Sequence, residues 1–279
     1  SGYSGISGLR PTYGRVSRHG AMALSWTMDK LGTMCRSAED CGLVLEAIAG
    51  ADALDPSSLP TDWKYAPAAN DCRFRFAVLD TSAERIQAEV RENYERALET
   101  LGDLGTIETV ELPDLPHAVV ASTIISCEMA AAFELPIAEG KSWELTAPED
   151  RWGGHSNLAI PAKDYINALR IRSRIQREMD ALLKNFDAIV TPTLNTESGP
   201  VARRFSDWSR GFSSNELSAA ANVAGLPAIS VPSGFGKRNL PTGIEFTSRA
   251  FDENTVLAVA NAYQSKTDWH TKYPPVNSP

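Results

Sequence analysis

The sequence has few cysteines and histidines, and none of them is spaced for a metal site or a disulfide framework. The four cysteines, Cys35, Cys41, Cys72 and Cys127, lack the close pairing that zinc sites show. No run of about 18 apolar residues is present, and the N-terminus lacks the basic and then apolar pattern of a secretory peptide. These absences favour a cytoplasmic protein in a reducing compartment, with no metal, no cofactor and no membrane contact.

Positive charge is also scarce. The 27 lysines and arginines stand against 35 aspartates and glutamates, which gives a formal net charge of -8. Such a balance argues against a nucleic-acid-binding surface. A content of 43% hydrophobic and 22% charged residues is typical of a globular protein, and 279 residues suffice for one large domain or two small ones. Small-molecule chemistry is therefore the expected function.

Helix-like and strand-like periodicities alternate along the chain, which indicates an α/β architecture. Ser37 and Asp40 form a capping-box-like start of a first helix that Gly50 ends. Its apolar face is expected to consist of Leu43, Val44, Ala47 and Ile48. A proline-rich linker over 51–71 should lie on the surface. Further strands are predicted at 74–79, 107–112, 187–193 and 227–234, and further helices at 86–102, 119–133 and from 162 onward.

Two of these helices have distinctive patterns. Residues 119–133 are apolar almost throughout, which predicts a helix buried on several sides. The helix after Pro161 should turn its arginines, lysines and glutamates to solvent. Its inward residues are expected to be Tyr165, Leu169, Ile175, Met179 and Leu183.

Five ordered segments follow a family pattern: "GLRPTYGRVSRHG" (8–20), "DKLGTMCRSAEDCGLVLEAIAG" (29–50), "FDAIVTPT" (186–193), "NVAGLPAISVPSGF" (222–235) and "LPTGIEFTSRAFDENTVLAVANAYQ" (240–264). Together they resemble the amidase signature family, the serine hydrolases that include the A subunit of tRNA-dependent amidotransferases and many bacterial amidases. The resemblance implies an α/β fold with a mixed, twisted β-sheet flanked by helices.

The family uses a lysine and two serines to cleave an amide bond without a cofactor. The resemblance places all three upstream of residue 1, with the nucleophile about five residues before Ser1. Residues 1–279 are therefore expected to be an amidase signature domain that is incomplete at its N-terminus, with no catalytic residue of its own. Arg10 and Arg15 are expected to organise loop and helix ends.

Asn215 is the first candidate for substrate binding. Glutamine-using members of the family have an acidic residue seven positions before the asparagine that matches Asn222, and this chain has Asn215 there. A neutral amide lacks the charge-assisted contact with a substrate amine, which makes free glutamine a less suitable substrate. An alignment shifted by one residue would offer Ser214 or Glu216 instead. Asn215 is equally suited to cap the helix that runs to Val223.

Arg151 and Trp152, in "RWGGHSN", are the second candidates. They lie roughly where glutamine-using members have an arginine-rich segment that binds the substrate carboxylate. The surroundings of Arg151 do not match that pattern, and an exposed arginine beside a glycine turn is commonly structural. Trp152 could equally serve as a hydrophobic plug.

Two classes of function follow. In the first, the chain is part of an amidase that acts on a small-molecule amide, releasing a carboxylate and ammonia or an amine. In the second, it is a non-catalytic structural or interaction subunit, or the A subunit of a tRNA-dependent amidotransferase. A part of a larger sheet exposes strand edges and apolar surface, so self-association into a homo-oligomer is also expected.

Overall fold

A computed structural model describes residues 1–60, 62–67 and 72–274. In these residues seven strands form one sheet in the order β2-β1-β6-β7-β5-β3-β4. The strands are β1 Ser7–Arg10, β2 Thr33–Cys35, β3 Phe74–Leu79, β4 Gly105–Val110, β5 Ala188–Pro192, β6 Ala228–Phe235 and β7 Pro241–Thr247. β3 pairs with β4 and β5 in parallel, whereas the other pairings are antiparallel. The expected mixed sheet is confirmed.

Helices cover both faces of the sheet, as the alternating periodicities predicted. They are α1 Ala38–Ile48, α2 Ala88–Leu104, α3 His117–Ala132, α4 Glu134–Ala138, α5 Pro148–Asn157, α6 Ala162–Leu183, α7 Phe205–Ser209, α8 Glu216–Ala224 and α9 Glu253–Lys266. Short 3-10 turns lie at Gly2–Ser4, Lys141–Glu144 and Trp269–Thr271.

Two hydrophobic cores lie on opposite faces of the sheet. Side chains alternate along a strand, so Phe76 and Val190 join one core while Ala77 and Ile189 join the other. α1, α2 and α9 close the first core, and α3, α6 and α8 close the second. The inward positions expected for α6 are confirmed at Ile175, which is fully buried together with Met179 and Leu183.

α1 begins with the predicted capping box, in which the Ser37 side chain accepts from the Asp40 backbone N–H and the Asp40 carboxylate accepts from the Ser37 N–H. Its predicted buried face is wrong, because Leu43, Val44 and Ile48 are exposed. The buried residues are Ala38, Cys41, Gly42 and Leu45. The small residues Ala38, Cys41 and Gly42 let α1 approach its neighbours closely: a Cβ on Gly42 would lie 2.3 Å from the Tyr65 ring.

Two other boundaries differ from the sequence-based prediction. α2 continues through Gly102 to Leu104, since Leu104 is buried and adds to the core. β4 starts at Gly105, two residues earlier than predicted. A Cβ on Gly105 would lie 1.9 Å from the Phe74 carbonyl oxygen, so Gly105 is required by strand contact.

α3 and the stretch after α1 also depart from expectation. Only one face of α3 is fully buried, with Val120, Ala121 and Ile124, while Val119 is exposed. Within the expected surface linker, Asp55 is buried, and its carboxylate accepts from the Arg18 backbone N–H at 2.8 Å. Positions 61 and 68–71 of that linker lie outside the described residues.

Candidate functional site

One face of the sheet carries a row of polar residues that crosses four strands. Gly8 of β1 pairs with Ser230 of β6, Ser230 with Glu245 of β7, and Glu245 with Thr191 of β5. Arg10 shares their face because it lies two residues beyond Gly8. We call Gly8, Arg10, Thr191, Ser230 and Glu245 the polar face.

Ser1 lies against this polar face. A Cβ on Gly8 would be 2.8 Å from the Ser1 side chain. Burial raises the pKa of Glu245, while Arg10 and a hydrogen bond with Ser218 oppose that rise. Glu245 is therefore a buried carboxyl group with a raised pKa, and its Oε1 has no hydrogen-bond partner among the described residues.

A cleft adjoins the polar face at the end of β1. It consists of two neighbouring cavities of about 270 Å³ and 320 Å³, which share Leu24, Asp29 and Lys30 in their walls. The smaller cavity is lined by Arg10, Leu24, Ser25, Met28, Asp29, Lys30, Ile125 and Asn222. The larger cavity is lined mainly by residues 18–31, with Leu54 and Asp55.

Lys30 is the most perturbed base of the cleft. Its Nζ donates to the Met28 carbonyl at 2.6 Å, to Asn222 Oδ1 at 2.7 Å and to the Asn222 carbonyl at 3.3 Å. Burial lowers the pKa of Lys30 to about 7, and the nearby positive charges of Arg10 and Arg172 contribute to this shift. The charge of Lys30 therefore changes near neutral pH.

Arg10 faces the same cavity from β1. Its Nε and Nη2 atoms are buried, and neither has a hydrogen-bond partner in the part of the chain that the structure describes. These two atoms therefore make no hydrogen bond that would support the expected role of Arg10 in organising a loop end. A guanidinium remains charged at all ordinary pH values, so Arg10 gives this cavity a permanent positive charge.

Glu128 of α3 fixes the loop that forms the cleft wall. Its carboxylate accepts from the Ser25 hydroxyl at 2.5 Å, from the Thr27 N–H at 3.1 Å and hydroxyl at 2.9 Å, and from the Tyr165 hydroxyl at 2.8 Å. Burial acts to raise the pKa of Glu128, but these hydrogen bonds outweigh it and hold the pKa below its usual range. Glu128 is a positioning residue for the loop.

Arg172 of α6 holds the same loop from the other side. It donates to the Thr27 carbonyl at 2.6 Å, to the Thr27 hydroxyl at 2.7 Å and to the Val223 carbonyl at 3.0 Å. The sequence pattern predicts that the arginines of this helix lie in solvent, and for Arg172 that prediction is wrong. The long-range contacts of Arg172, like those of Glu128, have no local sequence signal.

Asn215 caps α8 and also reaches the polar face. Its Oδ1 accepts from the Ser218 N–H at 3.2 Å, which confirms the capping role. Its Nδ2 donates to Thr191 Oγ1 at 3.1 Å and to the Pro192 carbonyl at 2.9 Å. The alternative Glu216 has an exposed side chain that lies 3.5 Å from His117 Nδ1. Asn215 is thus the substrate-binding candidate that the fold brings next to the polar face.

Arg151 and Trp152 lie on helix α5, which corrects the expected glycine turn. Arg151 Nε donates to the Leu145 carbonyl at 2.8 Å. Trp152 is exposed and packs edge-on against Trp143, with ring centroids 4.5 Å apart. Among the contacts of the described residues, none joins this pair to Asn215 or to the cleft, so the structure does not gather the three candidates into one site.

Metal-binding clusters and membrane-spanning helices are both missing from the part of the chain that the structure describes. Those residues contain no group of three or more His, Cys, Asp or Glu side chains that could hold a metal ion. They also include no helix whose length and apolar content would let it cross a membrane.

The mixed sheet flanked by helices defines an α/β protein, and the polar cleft is its candidate site. A family model described as Amidase matches residues 1–257. The chain therefore belongs to the amidase signature family, and the resemblance of its motifs is confirmed.

Curated relatives are A subunits of glutamyl-tRNA(Gln) amidotransferases. The Bacillus cytotoxicus protein is 31% identical over 300 residues, which cover 97% of this chain and 61% of the relative. The Bacillus mycoides protein is 32% identical with the same coverage of 97% and 61%. The chain thus spans about three fifths of the length of these relatives.

Solved structures have the same fold. The A subunit of the Thermotoga maritima glutamyl-tRNA(Gln) amidotransferase matches with a TM-score of 0.73 at 27% identity, covering 94% of this chain and 58% of that one. The Stenotrophomonas maltophilia peptide amidase matches with a TM-score of 0.75 at 26% identity, covering 94% and 58%. A vestigial complex related to an s-triazine catabolic enzyme has a TM-score of 0.83 at 21% identity, covers 95% and 59%, and shows likeness of fold.

Proposed function

We propose that this chain forms the substrate-binding part of an amidase, which hydrolyses a carbon–nitrogen amide bond to a carboxylate and ammonia or an amine. The observation that carries the proposal is the family match over residues 1–257, which includes the polar face, the cleft and α8. The solved structures that resemble this chain include a peptide amidase. A small-molecule amide is the proposed substrate.

The proposed reaction uses a serine nucleophile. A serine hydroxyl attacks the amide carbon only after a base takes its proton, and a lysine is a base only when its pKa is depressed. Lys30 has a depressed pKa, but its hydrogen bonds go to Met28 and Asn222 rather than to a serine. Following the family resemblance, we assign the nucleophile and base to residues of the parent protein that precede Ser1.

The geometry around Ser1 supports this assignment. Ser1 lies over Gly8 on the polar face. A nucleophile about five residues before Ser1 would lie within roughly 17 Å of it, since an extended chain spans at most about 3.4 Å per residue. The polar face is therefore within reach of the proposed nucleophile, and we propose that it forms a wall beside the substrate.

The amidotransferase A subunit is a second candidate, because the curated relatives carry that name. Such a protein would have to release ammonia from an amide donor. Asn215 lies where the resemblance places an acidic contact for the amino group of glutamine, and a neutral amide binds an ammonium group less strongly. We therefore favour an amidase with another amide substrate.

The test is ammonia release from a panel of primary amides and L-glutamine by the whole natural gene product that contains residues 1–279. The proposal predicts amide turnover, together with covalent labelling of one serine by a fluorophosphonate. The 279-residue chain alone should show neither, since it lacks the proposed nucleophile. A gene product with no turnover and no labelling would contradict the proposal, and turnover of glutamine alone would favour the amidotransferase.

A further inference from the structure

Two of the four cysteines lie side by side at the junction of β2 and α1. Cys41 is fully buried at the start of α1, where its Sγ donates to the Thr33 carbonyl at 3.9 Å and its own carbonyl accepts from the Thr33 hydroxyl at 3.2 Å. Thr33 and Cys35 point to the same side of β2, because side chains alternate along a strand. Cys35 packs against the hydrophobic core that contains Cys41. The fold therefore places both thiols between β2 and α1.

The turn that joins β2 to α1 is held by hydrogen bonds from other elements. The Ser7 hydroxyl donates to the Arg36 carbonyl at 3.1 Å, and Gln264 Oε1 accepts from the Ala38 N–H at 2.9 Å. Gln264 Nε2 also donates to Ser7 Oγ at 3.0 Å. β1 and α9 thus fix the turn on both sides of the capping residue Ser37. This support holds the two cysteines on either side of the turn in one arrangement.

The two thiols differ in their exposure. Cys35 is partly exposed, whereas Cys41 has no exposed surface. Burial raises the pKa of the Cys41 thiol to about 12, and the neighbouring Cys35 adds to this rise. Cys41 therefore stays protonated at neutral pH, and Cys35 is the member of the pair that an oxidant from solvent can reach.

We propose that Cys35 and Cys41 form a reversible disulfide when a peroxide oxidises Cys35, which makes the junction of β2 and α1 a redox modification site. This inference goes beyond the proposed amidase function and does not depend on it. A disulfide that forms in a reducing compartment is usually transient and redox-sensing rather than structural. The pair fits that use, because one thiol is open to solvent and the other is held behind it.

The reaction takes place in two steps. The Cys35 thiolate attacks one oxygen of hydrogen peroxide and the O–O bond breaks, which gives a sulfenic acid and a hydroxide that takes up the proton released by the Cys35 thiol. The Cys41 sulfur then attacks the Cys35 sulfur, and the hydroxyl group leaves as water with the Cys41 proton. Two thiols and one peroxide thus give one disulfide and two water molecules. The two sulfur atoms together lose two electrons, and the peroxide gains them.

Cys41 should protect Cys35 from irreversible oxidation. A sulfenic acid that meets no thiol is oxidised further to a sulfinic acid, which dithiols do not reduce. A thiol held beside it has an effective concentration of about 1 mM or more, well above the concentration of other chains at ~10 µM. The disulfide within one chain should therefore form in preference to a sulfinic acid or to a link between two chains.

The experiment is peptide mapping of the folded 279-residue chain after treatment with hydrogen peroxide, alkylation of the remaining thiols and digestion with trypsin without a reductant. Trypsin cleaves after Lys30, Arg36 and Lys64, so the proposed disulfide joins two separate peptides, 31–36 and 37–64. We expect this linked pair to exceed every other disulfide at least about tenfold. Dithiothreitol should separate the two peptides and restore both thiols to alkylation.

Cys41→Ser removes the thiol that attacks the sulfenic acid. In this variant Cys35 should accumulate as a sulfinic acid, which dithiothreitol does not reverse. Cys72→Ser is the matched control, because Cys72 is exposed, and it should leave the linked peptides unchanged. Circular dichroism and denaturant unfolding show whether each variant is folded. The map of the parent chain needs no variant and tests the proposal by itself.

Several results would overturn the inference. The first is a parent chain in which Cys35 is oxidised to a sulfinic acid, or stays unreacted while Cys72 is oxidised, with Cys41 still a free thiol. The second is a link that forms only after unfolding in urea, because the native fold would then keep the two sulfur atoms apart. The third is a dominant disulfide from Cys35 to Cys72 or Cys127. All of these are read without amide turnover, so the proposed function is tested separately.

Discussion

Arg15 and Glu253 form an ion pair in the interior, with 2.9 Å between Nη2 and Oε2 and almost no exposure of either side chain. The pair joins the loop after β1 to the first turn of α9, and Glu253 Oε1 also accepts from the Thr12 N–H at 3.0 Å. The arrangement agrees with the expected role of Arg15 in organising a helix end. It ties the first residues of the chain to its last long helix.

Removing one member of this pair should strongly destabilise the fold. Glu253→Ala leaves the Arg15 charge buried without its carboxylate, which typically costs about 3 to 5 kcal/mol of unfolding free energy. Chemical denaturation of the variant and the parent chain measures the difference. The control is Lys163→Ala, which breaks an exposed pair and should cost less than about 1 kcal/mol. A loss below about 1 kcal/mol in Glu253→Ala would contradict the importance of the pair.

Glu128→Gln should loosen the cleft wall. The amide keeps the shape but loses the charge that accepts from Ser25, Thr27 and Tyr165, and a hydrogen bond to a charged group contributes about 1.5 to 3 kcal/mol. The pKa of Glu128 is lowered in the folded state, so its stabilisation is complete above the unfolded value of about 4.3 and is lost at lower pH.

Denaturation of the parent and Glu128→Gln chains at pH ~7 and pH ~3 tests this prediction. The difference in stability should be largest at the higher pH and should shrink at the lower one. Hydrogen exchange of residues 24–30 should also accelerate in the variant. A difference that grows on acidification would show that the pKa of Glu128 is raised rather than lowered in the folded protein.

Lys30 should make the chain more stable as the pH rises. Its pKa of about 7 in the folded state lies below the unfolded value, so the unfolded chain binds more protons between the two. The parent chain should therefore gain up to about 2 kcal/mol relative to Lys30→Met between pH ~7 and pH ~9. Denaturant titrations at both values measure this gain. Parallel pH profiles for the two chains would contradict the lowered pKa.

Asn215→Asp should be less stable than the parent chain, although aspartate and asparagine cap helices equally well. The Nδ2 atom of Asn215 donates to the Pro192 carbonyl at 2.9 Å, and a carboxylate would place an acceptor there instead. The expected loss is about 1 to 3 kcal/mol by thermal or chemical denaturation. An unchanged or raised stability would show that Asn215 stabilises the fold through helix capping alone.

Self-association should involve the outer surface of α1 and the neighbouring edge strand β2. Leu43, Val44 and Ile48 are exposed on α1, and Met34 is exposed on β2. Light scattering of the 279-residue chain should therefore report a species larger than a monomer, and Val44→Glu with Leu43→Glu should shift it towards the monomer. A monomeric parent chain that binds little hydrophobic dye would contradict this expectation.

The elements that could be predicted from the sequence are those with a strong local pattern. The capping box at Ser37, the β5 and β6 segments and the inward residues Ile175 and Met179 are local or periodic features, and each is confirmed. The predicted buried face of α1 is wrong because α1 has two apolar stripes, and the stripe whose small residues allow close packing is the buried one. The periodicity of a local sequence carries no information about how closely α1 packs against its neighbours.

The candidate site was harder to predict, since its groups meet only through the fold. Lys30 contacts Asn222, and Glu128 contacts Ser25, across separations of 192 and 103 residues. A single lysine or glutamate has no local signature for such a contact. The family resemblance pointed to Asn215, which lies at the polar face, but also to Arg151 and Trp152, whose role in substrate binding stays a prediction.

The pairing of β1 with β6 has a consequence for how the chain folds. Gly8, Leu9 and Arg10 pair with Ser230, Ile229 and Ala228, so β1 acquires this neighbour only once residues 228–230 have been synthesised. Contacts of such high sequence separation slow folding, and unpaired strand edges invite aggregation in the meantime. Productive folding of this chain should therefore depend on protection of β1 until residues 228–230 arrive, and chaperone supply should limit its soluble yield at high expression rates.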